Sequence, residues 1–183
     1  MDTAAEPEGV TPRRAPYPNN SVQALRTAQG NTLTFSQMAD QKASILMGAT
    51  FVVFSLSVGR ALTQAGLPWS LSVLAFFAFL SALCAVSAVL PSVKTPKPDP
   101  NFVPNKLFFG HFALRDEAEW TEEMLANLHD DEAMLRMMLH DIYQNGQVLH
   151  FKKYRFLGYA YRLFIAGLIA TMATFVIEMI ATY

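Results

Sequence analysis

The sequence lacks most of the features that soluble enzymes and nucleic-acid-binding proteins use. Its one cysteine, Cys84, lies inside an apolar block, so no intrachain disulfide can form and an oxidising compartment is not indicated. Fourteen Lys and Arg residues balance fifteen Asp and Glu residues without forming a basic cluster, and nucleic acid is therefore not expected as a partner. No Gly-rich phosphate loop, Ser-His-Asp set or paired-cysteine motif is present. We therefore expect no enzyme activity, no metal and no cofactor.

Hydrophobic residues, by contrast, make up 52% of the chain and are concentrated in three blocks. These blocks are Ala43 to Leu62, Trp69 to Leu90 and Phe156 to Ile180. At about 1.5 Å per residue, each is long enough to cross a hydrocarbon core of roughly 30 Å as a helix. Arg162 and Glu178 interrupt the third block near its ends, from which their side chains can reach the membrane surface. A buried amphipathic helix is the alternative for the third block, but its closely spaced small residues favour a span.

The basic residues are distributed unevenly around these blocks. Lys and Arg beside membrane spans tend to remain in the cytoplasm. If the N-terminus is cytoplasmic, thirteen of the fourteen basic residues fall on that side and only Arg60 falls outside. The sequence therefore predicts a multi-pass protein in a lipid bilayer, with its N-terminus and main soluble module in the cytoplasm.

The polar segments divide the rest of the chain. Residues 1–20 contain four prolines and almost no large apolar residue, which predicts a disordered tail. A cytosolic helix is expected to run from residue 21 into the first span and to end at residue 62, with a thin, polar seam of heptad spacing that includes Gln29. Five prolines make residues 91–105 a semi-rigid spacer. Residues 106–155 are expected to form a cytosolic helical module, in which residues 107–112 make a short strand or turn. The predicted fold class is an all-α membrane protein whose long helices continue into the first and third spans.

The last helix of this module carries the most informative pattern. Seam positions recur at spacings of three and four from the module into the third block, at Leu135, Met138, Ile142, Asn145, Leu149, Lys152, Phe156, Tyr159 and Leu163. This spacing predicts a coiled-coil seam on one helix that is continuous with the third span. The polar seam residues Asn145 and Lys152 either fix register and oligomer number or line a pocket for a small anionic ligand. Lys153, Arg155 and Arg162 would add positive charge to such a pocket.

A second charged set lies where the first helix meets the membrane. Asp40 and Lys42 are expected at the same depth as Lys153 and Arg155 of the third span. If the two helices pack side by side, Asp40 can pair with one of these two bases, because a half-buried charge needs a partner. The pair is either a structural clamp or part of a gate.

Two other functions compete for the soluble module. The segment from Asp116 to Glu132 is an acidic helical stretch, in which Asp130 or Asp131 caps the next helix, and it would suit a membrane adaptor that recruits a cytosolic partner. The order His111, His129-Asp130, Asp141 is that of metal-dependent phosphohydrolases. The module is too small to build their scaffold.

Three stretches resemble a known family. They are MADQKASILMG, NKLFFGHFA and DIYQNGQVLHFKKYRFLGYAYRLFIAGL. The most telling motifs are Asp-x-Lys-Ala before the first span, at Asp40 to Ala43, and Lys-Tyr followed by Ala-Tyr before the last, at Lys153-Tyr154 and Ala160-Tyr161. From about Val22 to its end, the sequence resembles the transmembrane effector family of Pycsar antiphage systems.

The resemblance implies a bacterial inner-membrane protein that is silent until a cyclase, triggered by phage infection, makes a cyclic pyrimidine mononucleotide, either cyclic CMP or cyclic UMP. The effector would then oligomerise and damage the membrane, causing abortive infection. The sequence shows no β-roll or phosphate-cradling Gly-Glu…Arg segment of a cyclic-nucleotide-binding domain, so a pocket must be built from the helices, between subunits of a homo-oligomer. The residues expected to bind ligand or to gate are Asp40, Lys42, Asn145, Lys152, Lys153, Tyr154, Arg155, Tyr159 and Arg162.

Overall fold

The computed structural model describes residues 17–18, 20–63, 68–90 and 103–182, and every regular element in these ranges is helical. The α-helices are α1 (Ser21–Thr63), α2 (Trp69–Val89), α3 (Phe109–Phe112), α4 (Glu117–Leu128), α5 (Asp131–Val148) and α6 (Arg155–Thr182). A six-residue π-helical turn, Leu149–Tyr154, joins α5 to α6 without a break. The all-α prediction is confirmed, whereas the strand alternative for residues 107–112 is wrong, because that segment forms turns and the short helix α3.

Among the described residues, three helices are long and apolar enough to cross a membrane, as predicted: Ser21–Thr63, Trp69–Val89 and the continuous rod Asp131–Ala181. The predicted disordered tail lies outside the described residues except for residues 17, 18 and 20. Most of the predicted spacer, residues 91–102, lies outside them as well.

Local sequence signals set the ends of the soluble helices. The Asp116 carboxylate accepts hydrogen bonds from the backbone N–H groups of Ala118 and Glu119, and this caps α4. The Asp130 carboxylate accepts from the N–H of Glu132 and caps α5. The Asp130 cap was one of the two alternatives predicted from the sequence, whereas for Asp116 only the start of an acidic helical segment was predicted.

The spans pack through small residues. Helix α2 lies between α1 and α6 and contacts both far more extensively than these two contact each other. The buried hydrophobic residues along these contacts are mostly alanines: Ala39, Ala43, Ala78, Ala85, Ala88 and Ala160. The Ser81 hydroxyl donates a hydrogen bond of 2.8 Å to the backbone carbonyl of Ala160, which ties α2 to α6 at mid-span. Close approach through small residues and hydrogen bonds between helices are typical of membrane bundles.

Gly167 makes the closest approach between α2 and α6. A Cβ at this position would lie 2.4 Å from the Cβ of Phe77, which belongs to the rigid base of that side chain. We expect Gly167→Ala to force the two helices apart and to lower the free energy of unfolding by about 1–3 kcal/mol. Thermal unfolding in detergent would measure the change. The matched control is Gly158→Ala on the same helix, where a Cβ meets nothing within 4 Å and no loss is expected.

Helix α4 is held to the loop before α3 by ion pairs. The Lys106 ammonium lies 2.7 Å from the Glu123 carboxylate, and Arg115 also hydrogen-bonds to it. The indole N–H of Trp120 donates to the Lys106 carbonyl at 3.2 Å, and the indole stacks on Phe112. These contacts hold α4 against the segment that includes Lys106 and α3.

The ion pairs predict a pH dependence for the docking of α4. Hydrogen bonds from Lys106 and then Arg115 hold the pKa of the Glu123 carboxyl below its ordinary value. Because folding lowers the pKa of Glu123, its ionised carboxylate stabilises the docked position of α4 at any pH above the ordinary pKa of a glutamate. This stabilisation is lost as the pH falls through the lowered pKa of Glu123. An acid titration of Trp120 fluorescence should show the transition. It should vanish in Glu123→Gln and persist in Glu122→Gln, which changes an exposed acid of the same helix.

The π-helical turn changes which residues face the bundle. Its extra residue rotates the following helix by about 100° relative to an uninterrupted α-helix. The inward residues beyond it are therefore Lys153, Leu157, Ala160, Phe164 and Gly167, each one position later than the uninterrupted seam would place it. The predicted continuous rod is confirmed, but its predicted seam is wrong by one residue from Lys152 onwards.

Candidate functional site

A buried carboxylate, Asp141 of α5, lies at the centre of a polar network in the soluble module. Its Oδ1 accepts hydrogen bonds from the side-chain amides of Asn105, at 2.9 Å, and Asn145, at 3.0 Å. Its Oδ2 accepts from the Gln29 amide of α1 at 2.9 Å. Asp141 is 9% exposed, and no cation within the described ranges pairs with it. The Asp141 carboxylate of α5 is thus bonded both to α1 and to the segment that precedes α3.

The segment before α3 is itself locked into this network. Asn105 is 1% exposed, its backbone N–H donates to Nδ1 of His111 at 2.9 Å, and its side-chain carbonyl accepts from the N–H of Leu107. The geometry leaves Asn105 no alternative orientation, because its amide nitrogen must donate to Asp141 and its amide oxygen must accept. The network therefore presents a fixed carboxylate to the space between α1 and α5.

That space is a cavity of about 310 Å³ between α1 and α5. Its residues share a mixed character, with polar groups at each end and apolar side chains between them. They are Gln29, Gly30, Thr32, Leu33, Ser36, Asp141, Ile142, Asn145, Val148 and Leu149. A lining of this kind, apolar with a few polar groups, is typical of sites for small molecules.

An ion pair lies next to Ser36, which lines the cavity at its end nearer the spans. The Lys153 ammonium lies 2.6 Å from Oδ2 of Asp40 and donates to the Ser36 hydroxyl at 2.7 Å. The other oxygen of Asp40, Oδ1, is buried and has no hydrogen-bond partner in the described part of the chain. Asp40 therefore depends on Lys153 for its compensation. The ion pair predicted between Asp40 and a base of the third span forms, with Lys153 and not Arg155 as its partner.

The neighbouring Lys152 ties the same turn to α2. Its ammonium donates to the backbone carbonyl of Leu90, the residue that caps the end of α2. The π-helical turn thus sends Lys152 towards α2 and Lys153 towards α1, so that both spans are held at one level.

The other residues predicted for the site lie apart from the cavity. Tyr154, Arg155, Tyr159 and Arg162 are all exposed, and Lys42 is exposed on α1. Arg155 contacts Tyr159, with Nε 3.3 Å from the phenolic oxygen, and does not line the cavity. The π-helical turn explains the difference, since its rotation carries Tyr159 from the predicted seam to the outer face.

The residues of the two competing functions make other contacts in this arrangement. No set of three metal-ligating side chains converges among the described residues. Within the described residues, Asn105 links His111 to Asp141 by hydrogen bonds to both. Part of the negative charge of the acidic segment is neutralised within the chain, because Glu119 and Glu123 pair with Arg115.

Sequence reasoning missed the central carboxylate as a binding residue. Asp141 was considered only as a metal ligand, and Gln29 only as a polar seam position of α1. One signal could have revealed them: Gln29 and Asn145 are polar positions on facing seams, and Asp141 lies one turn before Asn145 on the same face. Asn105 gave no such signal, since its contact with Asp141 spans 36 residues.

Comparison with known proteins identifies the family. Residues 23–179 of the 183 match the family described as the Pycsar effector protein domain. This match covers nearly all of α1 and of the rod Asp131–Ala181, the residues that line the cavity, and the Asp40–Lys153 ion pair. No curated protein and no solved structure matches the chain. The family is not a known catalytic one. The chain therefore belongs to the Pycsar effector protein domain family and is an antiphage-defence effector with membrane-spanning helices.

Proposed function

We propose that this effector binds a cyclic pyrimidine mononucleotide in the cavity between α1 and α5, and then oligomerises and disrupts the bacterial inner membrane. The observation that carries the proposal is the continuity of the rod Asp131–Ala181, whose cytosolic end lines the cavity and whose other end spans the membrane. The distribution of Lys and Arg supports a cytoplasmic N-terminus and soluble module, on the side where the nucleotide would be made.

The chemistry at the two ends of the cavity suits the two ends of such a ligand. Asp141, Gln29 and Asn145 offer hydrogen-bonding groups for the edge of a pyrimidine base, and the Lys153 ammonium beside Ser36 offers a positive charge for the cyclic phosphate. Gln29 and Ser36 are seven residues apart on α1, or about 10 Å. This separation is comparable to that between the base edge and the phosphate of a cyclic pyrimidine mononucleotide.

Occupancy of the cavity would act on the spans through Lys153. A bound phosphate competes with Asp40 for the ammonium, and Asp40 then loses its one compensating charge at the membrane surface. Few other contacts join α1 to α6, so weakening this pair favours their separation. Separation exposes new helix faces for contact with further copies of the chain.

The π-helical turn is the element through which a change at the cavity reaches the span. Deleting Phe151, which is 62% exposed, removes the extra residue and lets the helix continue in α-geometry. Lys153, Leu157 and Ala160 keep their inward face, so we expect little loss of thermal stability but loss of nucleotide-induced leakage. Phe151→Ala is the control, because it retains the turn and should respond normally. A deletion variant that responds like the parent would remove the turn from the mechanism.

Binding and assembly can be followed in one titration. Purified protein in detergent is titrated with cyclic CMP and with cyclic UMP while calorimetry records binding and light scattering records the mass of the oligomer. We expect saturable binding of at least one nucleotide and an increase in mass at the same concentration. Absence of binding by either nucleotide, with the helical content intact, would contradict the proposal.

A further inference from the structure

Three residues at the start of α6 form a polar stripe on its outer face. Arg155, Tyr159 and Arg162 follow each other at spacings of four and three, so they lie on one side of the helix. At 100° per residue this side is opposite the buried residues Leu157 and Ala160. The stripe therefore points away from α1, α2 and the cavity.

The stripe carries two positive charges that are not compensated by the described residues. No carboxylate within the described ranges pairs with either arginine. The Arg155 guanidinium carbon lies 5.8 Å from the centre of the Tyr159 ring, and its Nε–H donates to the phenolic oxygen. These contacts orient the guanidinium but supply no anion.

The position of Arg162 along the helix indicates which kind of anion could pair with it. It lies seven residues, or about 10 Å, beyond Arg155 in a helix whose exposed residues from there on are almost all apolar, including Ile165, Leu168 and Ile169. Side chains of a helix tilt towards its N-terminus, so the Arg162 guanidinium extends back towards the level of Arg155. An exposed guanidinium at this depth is costly without an anionic partner, and the anions at that level of a bilayer are lipid phosphates.

We propose that Arg155, Tyr159 and Arg162 form a binding site for the phosphate headgroup of an anionic phospholipid, separate from the nucleotide cavity. The two guanidinium groups grip the phosphate from both sides, which suits the forked geometry of arginine. The Tyr159 ring holds Arg155 in place and packs beside the glycerol region at the membrane surface, where tyrosines are favoured. The site anchors the rod at its exit from the π-helical turn. It depends on membrane insertion and not on any nucleotide.

The test is native mass spectrometry of the full chain in detergent, titrated with phosphatidylglycerol or phosphatidylcholine of the same acyl chains. We expect phosphatidylglycerol to be retained with at least about five-fold preference, the ratio that one arginine near an anionic surface supplies. Arg155→Gln combined with Arg162→Gln should abolish the preference. Arg26→Gln combined with Arg136→Gln removes the same charge from the soluble module and should leave it unchanged.

Other outcomes separate the alternatives. Equal retention of the two lipids by the parent protein, or an unchanged preference in the Arg155 and Arg162 variant, would overturn the proposal. Displacement of phosphatidylglycerol by millimolar inorganic phosphate would also overturn it, because the site would then bind a free anion. If the glutamine variant does not fold, Arg155→Lys combined with Arg162→Lys keeps the charge and loses the fork. It should retain an intermediate preference.

Discussion

Lys153→Gln is expected to make liposomes leak without any nucleotide. The substitution removes the one cation that lies 2.6 Å from Asp40, whose other oxygen is already buried without a partner. An uncompensated carboxylate at the membrane surface costs several kcal/mol when fully buried, and about 2 kcal/mol is expected here because Asp40 is partly exposed. A change of that size shifts the ratio of separated to paired helices by more than ten-fold. Dye release from proteoliposomes should rise accordingly and should not respond further to nucleotide, since the same ammonium is proposed to bind the phosphate.

Two controls make this result specific. Lys152→Gln removes the same charge one residue away and leaves the Asp40 pair intact, so its basal leakage should stay low. The exchange of both charges, Asp40→Lys with Lys153→Asp, restores an ion pair of opposite polarity and should return leakage towards the parent level. Low leakage in Lys153→Gln, with insertion confirmed, would mean that the Asp40–Lys153 pair does not control the separation of α1 from α6.

Asp141→Ala is expected to have the largest effect on stability. It removes the acceptor for three amides, on Gln29, Asn105 and Asn145, and leaves these donors buried or half-buried. Hydrogen bonds to a charged group contribute about 1.5–3 kcal/mol each and are not additive, so a loss of about 3 kcal/mol in the free energy of unfolding is expected. Nucleotide binding should weaken by at least ten-fold, because the edge of the cavity loses its fixed acceptor.

Unfolding in denaturant, followed by helical circular dichroism in detergent, would measure the first effect, and calorimetry the second. Glu122→Gln is the matched control, since it neutralises an exposed acid of the same module. If Asp141→Ala unfolded at the same denaturant concentration as the parent, Asp141 would not be the residue that joins α1 to α5.

The features that could be predicted from the sequence are those set by local pattern and by depth in the membrane. Runs of about twenty apolar residues define the spans whatever surrounds them. Asp116 and Asp130 start their helices because their carboxylates accept from N–H groups within the next three residues. An ion pair between Asp40 and a base of the third span could be predicted because these residues lie at the same depth, where the first and third spans meet the same membrane surface.

The features that could not be predicted depend on one inserted residue and on distant contacts. A regular spacing of three and four continues through residues 149–154, so nothing in the pattern reveals the π-helical turn. The turn accompanies tertiary contacts, in which Lys153 reaches α1 and Lys152 reaches the end of α2. The Asp141 network includes Asn105, which lies in a segment held in place by a hydrogen bond to His111. Contacts of this kind do not produce a periodic pattern in the sequence.

Dye release from liposomes that contain the unmodified protein is the most direct test that a nucleotide signal is converted into membrane damage. The account predicts retention of the dye in buffer alone and rapid release when cyclic CMP or cyclic UMP is added on the side of the soluble module, at the concentration that fills the cavity. No release at any concentration of either nucleotide, from correctly inserted protein that binds the nucleotide, would contradict it.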